Sequence, residues 1–252
     1  MRDLRDRRIW IAVAVALLSV SFVVAIFRVP PVAFLEDVEL DGPVPVSIER
    51  KARRMEGLSR FSSDYRAIRR SIEDSIYLED VSMEPEDGVL HIETRLSRDL
   101  FAITDGGSYI LYDGSDVYLP PSEDIAFLKM HVPVLEVSSG QLEYIARYGI
   151  EKRLSEVIDL LLDIYHSSSY NDRLVGKVKY QGGTGEEFGR LTFFLPGMDS
   201  SLAIREKVDP GMVLKSLSVM NENQRVLPTG ETREYELKGN TLTELKRIVD
   251  GI

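Results

Sequence analysis

The chain has no cysteine, a single tryptophan and three histidines among its 252 residues. Without cysteine there can be no disulfide framework, no thiol nucleophile and no thiolate zinc site. The histidines, His91, His131 and His166, stand far apart, and none lies at metal-ligand spacing from another. His91 falls on the opposite side of a strand from Leu90 and Ile92 and is expected to be solvated. His131 and His166 are expected to be partly buried structural residues. Positive charge is in deficit: 31 Lys and Arg against 41 Asp and Glu give a net charge of −10 and a pI near 5.0. A nucleic-acid partner would need a basic face, so that class is disfavoured. No internal repeat or low-complexity tract is present. Long hydrophobic runs are also missing, with one exception.

The exception is "IWIAVAVALLSVSFVVAIF", residues 9–27, in which only Ser19 and Ser21 are polar. As a helix it spans roughly 28 Å at about 1.5 Å per residue, close to the hydrocarbon thickness of a bilayer. It is longer than a signal-peptide core, and no small-residue cleavage pattern follows, so an uncleaved anchor is predicted. Ile9, Trp10, Leu17, Leu18, Phe22 and Phe27 are its predicted membrane-spanning residues. Arg2, Arg5, Arg7 and Arg8 precede the run, whereas only Arg28 follows closely, ahead of Glu36, Asp37, Glu39 and Asp41. The positive-inside rule then puts residues 1–8 in the cytoplasm and the bulk of the chain outside it.

Beyond the anchor the fold class reads as α+β. "FLEDVELDG" (34–42) predicts a strand ending in an Asp41-Gly42 turn. Ser47 is placed as N-cap of a helix carrying Ile48, Ala52 and Met55 or Leu58 on one face. Ser62 or Ser63 caps a second helix bearing Tyr65, Ile68, Ile72 and Ile76 at three- to four-residue spacing. Val81 and Met83, an Asp87-Gly88 turn and Leu90, Ile92, Thr94 and Leu96 predict a hairpin. The order is strand, helix, helix, strand, strand, for a three-stranded sheet with two helices on one face. This first domain is drawn as 32–100.

A second domain, 101–240, reads as a mixed, mostly antiparallel β domain with flanking helices. It opens with a short strand at 101–103, then a stretch at 126–137 of extended character, broken by Pro133. One helix is predicted over 141–165, striped by Leu154, Val157, Ile158, Leu161 and Ile164. Strands follow at 172–181, 189–197 and 201–207. Asp209-Pro210 starts a helix, and 233–240 is a last strand. Residues 241–252 are expected to be a short helix or a frayed tail.

"ITDGGSYILYDGSDVYLP" (103–120) concentrates aspartate and glycine. Asp105 with Asp113 or Asp116 raises the question of a calcium loop or an acid pair, but "DGSDVYLPPSED" misses the EF-hand ligand positions. Asp-Gly is a strong turn former, so the stretch reads as two turns around a Tyr109–Tyr112 strand. "VSSGQ" (137–141) and "HSSSY" (166–170) lack the surroundings of a serine nucleophile and read as caps and loop. "GGTGEE" (182–187) lacks the Lys-Ser/Thr of a phosphate cradle. No catalytic, cofactor-binding or metal-binding residue is therefore assigned, and the chain is expected not to be an enzyme.

The order of parts resembles the bacterial cell-division family FtsQ/DivIB. "FLEDVELDG" (34–42) is similar to that family's opening strand. "IYLEDVSMEPEDGVLHIETRLSRDLFAI" (76–103) is similar to its hairpin and junction. The 103–120 stretch is similar to its Asp-Gly turn, apolar strand and Leu-Pro, and "SLAIREKVDPGMVLKSLSVM" (201–220) with "REYEL" (233–237) to its closing elements. "LSRDLFA" (96–102) departs from it, lacking the family's junction proline. The resemblance implies a POTRA domain (32–100) and a β domain behind a single-pass anchor in the cytoplasmic membrane, concentrated at the division septum. It implies a non-enzymatic divisome component that scaffolds other division proteins and links assembly to septal peptidoglycan synthesis. The alternatives are a membrane-anchored extracytoplasmic wall enzyme and a POTRA-type export or assembly factor.

For partners, the predicted last strand is the candidate. With nothing strand-like after it, it is expected to be a sheet edge able to accept a partner strand. Glu234, Tyr235, Glu236 and Leu237 are the candidate partner-binding residues, with Tyr235 as an aromatic anchor; alternatively Tyr235 and Leu237 fill the core. The resemblance points to the same strand for FtsB/FtsL-type coiled coils. Membrane lipid is met through the anchor, and no cofactor is implied.

Overall fold

Val38 and Leu40 alternate with charged neighbours in β1 (Asp37–Asp41), so Val38 is buried while Asp37 and Glu39 stay in water. A computed structural model describes residues 34–167, 175–182, 188–197, 200–224 and 231–249 of the chain. The fold is α+β. The chain divides into two compact units, one running to Val44 and then from Ile48 to Arg95, the other comprising Pro45–Ser47 and the residues from Leu96 on.

In the first unit, β1 is followed by α1 (Val46–Arg53), α2 (Ser63–Glu73), β2 (Leu78–Glu86) and β3 (Val89–Leu96). The helix α1 starts at Val46, one residue before the cap expected at Ser47. Ser62 does cap α2, its side chain accepting the Tyr65 N–H at 3.1 Å. The hairpin turns at Asp87-Gly88, both at positive φ, and lets β2 and β3 pair. β3 is central, with β1 parallel to it in the register Val38 to Leu90 and Leu40 to Ile92. Ile48, Ala52, Met55, Tyr65 and Ile72 from the helical layer are buried, as are Val38, Met83, Leu90 and Ile92 from the sheet.

The second unit is built on a nine-stranded sheet: β4 (Phe101–Thr104), β5 (Tyr109–Tyr112), β6 (Val117–Tyr118), β7 (Val134–Glu136), β8 (Lys177–Gln181), β9 (Arg190–Phe194), β10 (Ser201–Ile204), β11 (Glu231–Lys238) and β12 (Thr241–Val249). Their spatial order is β12-β11-β10-β9-β8-β7-β4-β5-β6. The sheet is mixed: β10 with β11, β4 with β7 and β7 with β8 are parallel, and the other neighbours are antiparallel. Alternate residues of the strands, from Phe101 and Ile103 through Leu135, Val178, Leu191, Phe193 and Leu202 to Tyr235 and Leu237, share one core with three helices. Those helices are α4 (Ser139–Tyr148), α5 (Lys152–Tyr165) and α6 (Pro210–Gln224); the shorter α3 (Ile125–His131) precedes β7. The expected stripe of α5 is buried, with Leu160 added to it.

Three sequence expectations are corrected. Residues 125–131 are helical rather than extended; only β7, beyond Pro133, is a strand. The single helix expected over 141–165 is two, because Gly149 adopts φ +82 and ends α4. The expected tail is β12, a strand of nine residues. The residues predicted to span the membrane, Ile9, Trp10, Leu17, Leu18, Phe22 and Phe27, lie outside the described residues. Among the described residues, no helix is long and apolar enough to cross a membrane.

Candidate functional site

The existence of β12 changes the position of the predicted partner-binding residues. Gly239-Asn240 is a two-residue connection that turns the chain back along β11. β11 therefore has β10 on one side and β12 on the other, and is not an edge. Tyr235 and Leu237 are only 6% and 1% exposed and belong to the core beneath the helices. Glu234 and Glu236, pointing the other way, are half-buried on the face away from that core. Glu236 accepts from Arg205 Nε at 2.9 Å, a pair that ties β11 to the end of β10. The four residues named from sequence thus split in two: a pair of core side chains and a pair of surface carboxylates.

The edge itself is β12. Pairing with β11 slips at Glu234/Tyr235, so Glu234 faces Lys246 whereas Tyr235 faces Glu244. Such a bulge increases local twist and re-aims the side chains beyond it. Thr241, Thr243, Glu244, Leu245 and Lys246 are exposed, Leu245 by 50%, and Leu242 packs against the core. Arg233 Nη1 meets Glu244 at 3.1 Å across the two strands, and the Arg233 N–H donates to Ser200 Oγ at 3.0 Å. Ser200 Oγ in turn donates to Gln224 Oε1 at 2.7 Å, at the end of α6. The last hairpin is held by side-chain bonds as well as by its ladder. Among the described residues, nothing pairs with the outer side of β12. The opposite edge, β6, has only two residues.

The face away from the helices also carries a charged group at the sheet centre. Glu136 on β7 pairs with Lys177 and, at 3.1 Å, with Lys179 on β8. Burial pushes its carboxyl up, but the hydrogen bonds and charges of the two lysines outweigh this and hold it below the usual carboxylate range.

The aspartates of the 103–120 stretch serve its turns. Asp105 Oδ1 accepts the N–H groups of Ser108 and Gly107 at 2.8 and 3.0 Å, and these bonds lower its carboxyl. Asp113 Oδ1 accepts from Asp116 and Ser115 at 2.8 and 2.9 Å; partial burial raises this carboxyl, yet the N–H bonds prevail and it too is lowered. Ser138 caps α4 by accepting from the Gln141 N–H. His91 is half-exposed and 3.1 Å from Glu39. His131 and His166 are exposed, contrary to expectation, and His131 stacks on Phe127. Most of "GGTGEE" lies outside the described residues. No protein-family model and no curated protein matches this sequence.

Proposed function

We propose that this chain is a non-enzymatic, single-pass component of the bacterial division machinery, with its amino terminus cytoplasmic and both units outside the cytoplasmic membrane. In this reading the first unit is a POTRA domain and the second is a docking domain for other bitopic division proteins of the FtsB/FtsL coiled-coil type. It scaffolds them and links their assembly to septal peptidoglycan synthesis. The observation that carries the reading is β12. Nine residues of strand with an outer side unpaired among the described residues form a template for one more strand. The anchor-like run, its flanking arginines and the strand-helix-helix-strand-strand order ahead of a mixed sheet support it.

The experiment is depletion in the source bacterium with microscopy. Cells are expected to elongate without completing septa, and a fluorescent fusion is expected to gather at mid-cell. Normal septation after complete loss would sink the proposal.

A further inference from the structure

Among the described residues of the first unit, the two most exposed large apolar side chains are Phe34 and Phe61, at 57% and 65%. They come from segments far apart in sequence that are pinned together. Phe34 forms an isolated antiparallel bridge with Ser59, two residues before Phe61. On the other side of the bridge, Leu35 N–H donates to Leu58 C=O at 3.1 Å and Gly57 N–H to Leu35 C=O at 2.7 Å. The loop that carries Phe61 is thus fixed to the chain just where the described part of the unit begins.

Basic groups accompany the rings. The Arg60 guanidinium lies 5.0 Å from the Phe61 ring centroid, and its buried Nε has no hydrogen-bond partner. Arg66 Nε donates to Ser62 C=O at 3.4 Å, beside the same loop. Asp64 is the one acidic side chain of the first turn of α2. Exposed phenylalanines next to arginine match the chemistry of a bilayer interface, where rings enter the acyl boundary and guanidinium groups bind lipid phosphates.

Reach selects this occupant. If the membrane segment ends at Phe27, six residues, and so seven Cα–Cα steps, separate it from Phe34. Fully extended they cover at most about 25 Å, and Pro30-Pro31 cannot continue a helix into that gap. The headgroup layer takes up roughly 5–8 Å of the distance. We infer that Phe34 and Phe61, with Arg60 and Arg66 beside them, dock the first unit on the outer surface of the membrane that the chain crosses. This rests on the bitopic reading above and adds a second lipid contact, separate from the anchor.

The lone tryptophan makes the test selective, since Trp10 lies in the predicted span. Full-length protein is placed in phospholipid nanodiscs, with lipids brominated either near the headgroup or deep in the acyl chain. Wild-type protein reports on Trp10. Protein carrying Trp10→Phe with Phe61→Trp reports on the loop, and Trp10→Phe with Phe34→Trp is a second reporter at the other exposed phenylalanine. Docking predicts at least a twofold loss of emission from both loop reporters with shallow bromines, and a smaller loss with deep ones. Loop reporters insensitive to bromine, while Trp10, at the start of the predicted span, is quenched by shallow bromines, would leave the anchor intact and overturn the docking. Blue-shifted but bromine-insensitive emission would mean that protein covers the patch, and would overturn it equally. An unquenched Trp10 would remove the bitopic reading, and docking with it.

Discussion

Glu136 in the second unit is held between Lys177 and Lys179 on the neighbouring strand. Because its folded carboxyl is depressed, the pair adds stability above the unfolded carboxylate value of about 4.3. That contribution is lost as pH falls through the lower, folded value. Glu136→Gln is expected to cost about 1 kcal/mol at pH 7, since both lysines keep part of their hydration. Urea midpoints of the two proteins should converge as pH drops below about 4, and parallel pH curves would show that the charge is not what matters there. Other residue-level features could be read in advance. Asp105 and Asp113 form turns because Asp-Gly pairs sit between apolar runs, and Ser62 and Ser138 cap because an amphipathic run follows each. Glu136 could not be read, because its partners come from a strand some forty residues away.

At the scale of elements, the sequence was most legible where a period ran unbroken. The α5 stripe and the β3 alternation survive intact. The failures have local causes. In 125–131 the helix is two turns long, too short to show its period beside Val132, Pro133 and Val134, and it stops where the residue before proline is forced extended. In 141–165 the apolar spacing of two helices nearly continues across Gly149, which hid the break. In β12, Leu242, Leu245 and Ile248 recur every three residues, a helical interval. The strand register breaks that interval, since Leu242 packs against the core while Leu245, at the bulge, is half-exposed, and the Gly239-Asn240 pair was the signal to weigh instead. The consequence is practical. Tyr235→Ala would disturb a core side chain and confuse unfolding with lost binding. Leu245→Asp is the cleaner probe of the edge, since Leu245 is half-exposed. It should change stability by less than about 0.5 kcal/mol. Capture of a coiled-coil division protein should fall at least tenfold, with the thermal melt unchanged. Undiminished capture would take the docking strand away from β12.

For the whole molecule, the asymmetry of charge about residues 9–27 is the largest-scale feature in the sequence. Four arginines precede the run and one follows, ahead of four carboxylates by Asp41. Moving the arginine-rich end across a bilayer is disfavoured, so the rest of the chain should be the part translocated. The absence of cysteine turns this into a direct measurement, because any thiol introduced is the only one present. Asp3→Cys leaves the arginines in place, and Lys207→Cys lies at an exposed position in the second unit. In intact spheroplasts a membrane-impermeant maleimide is expected to label Lys207→Cys in full and to leave Asp3→Cys unlabelled until the membrane is opened. The reverse pattern would invert the topology. Protection of both sites until lysis would keep the whole chain inside the cell, and β12 would then have to find its partner in the cytoplasm.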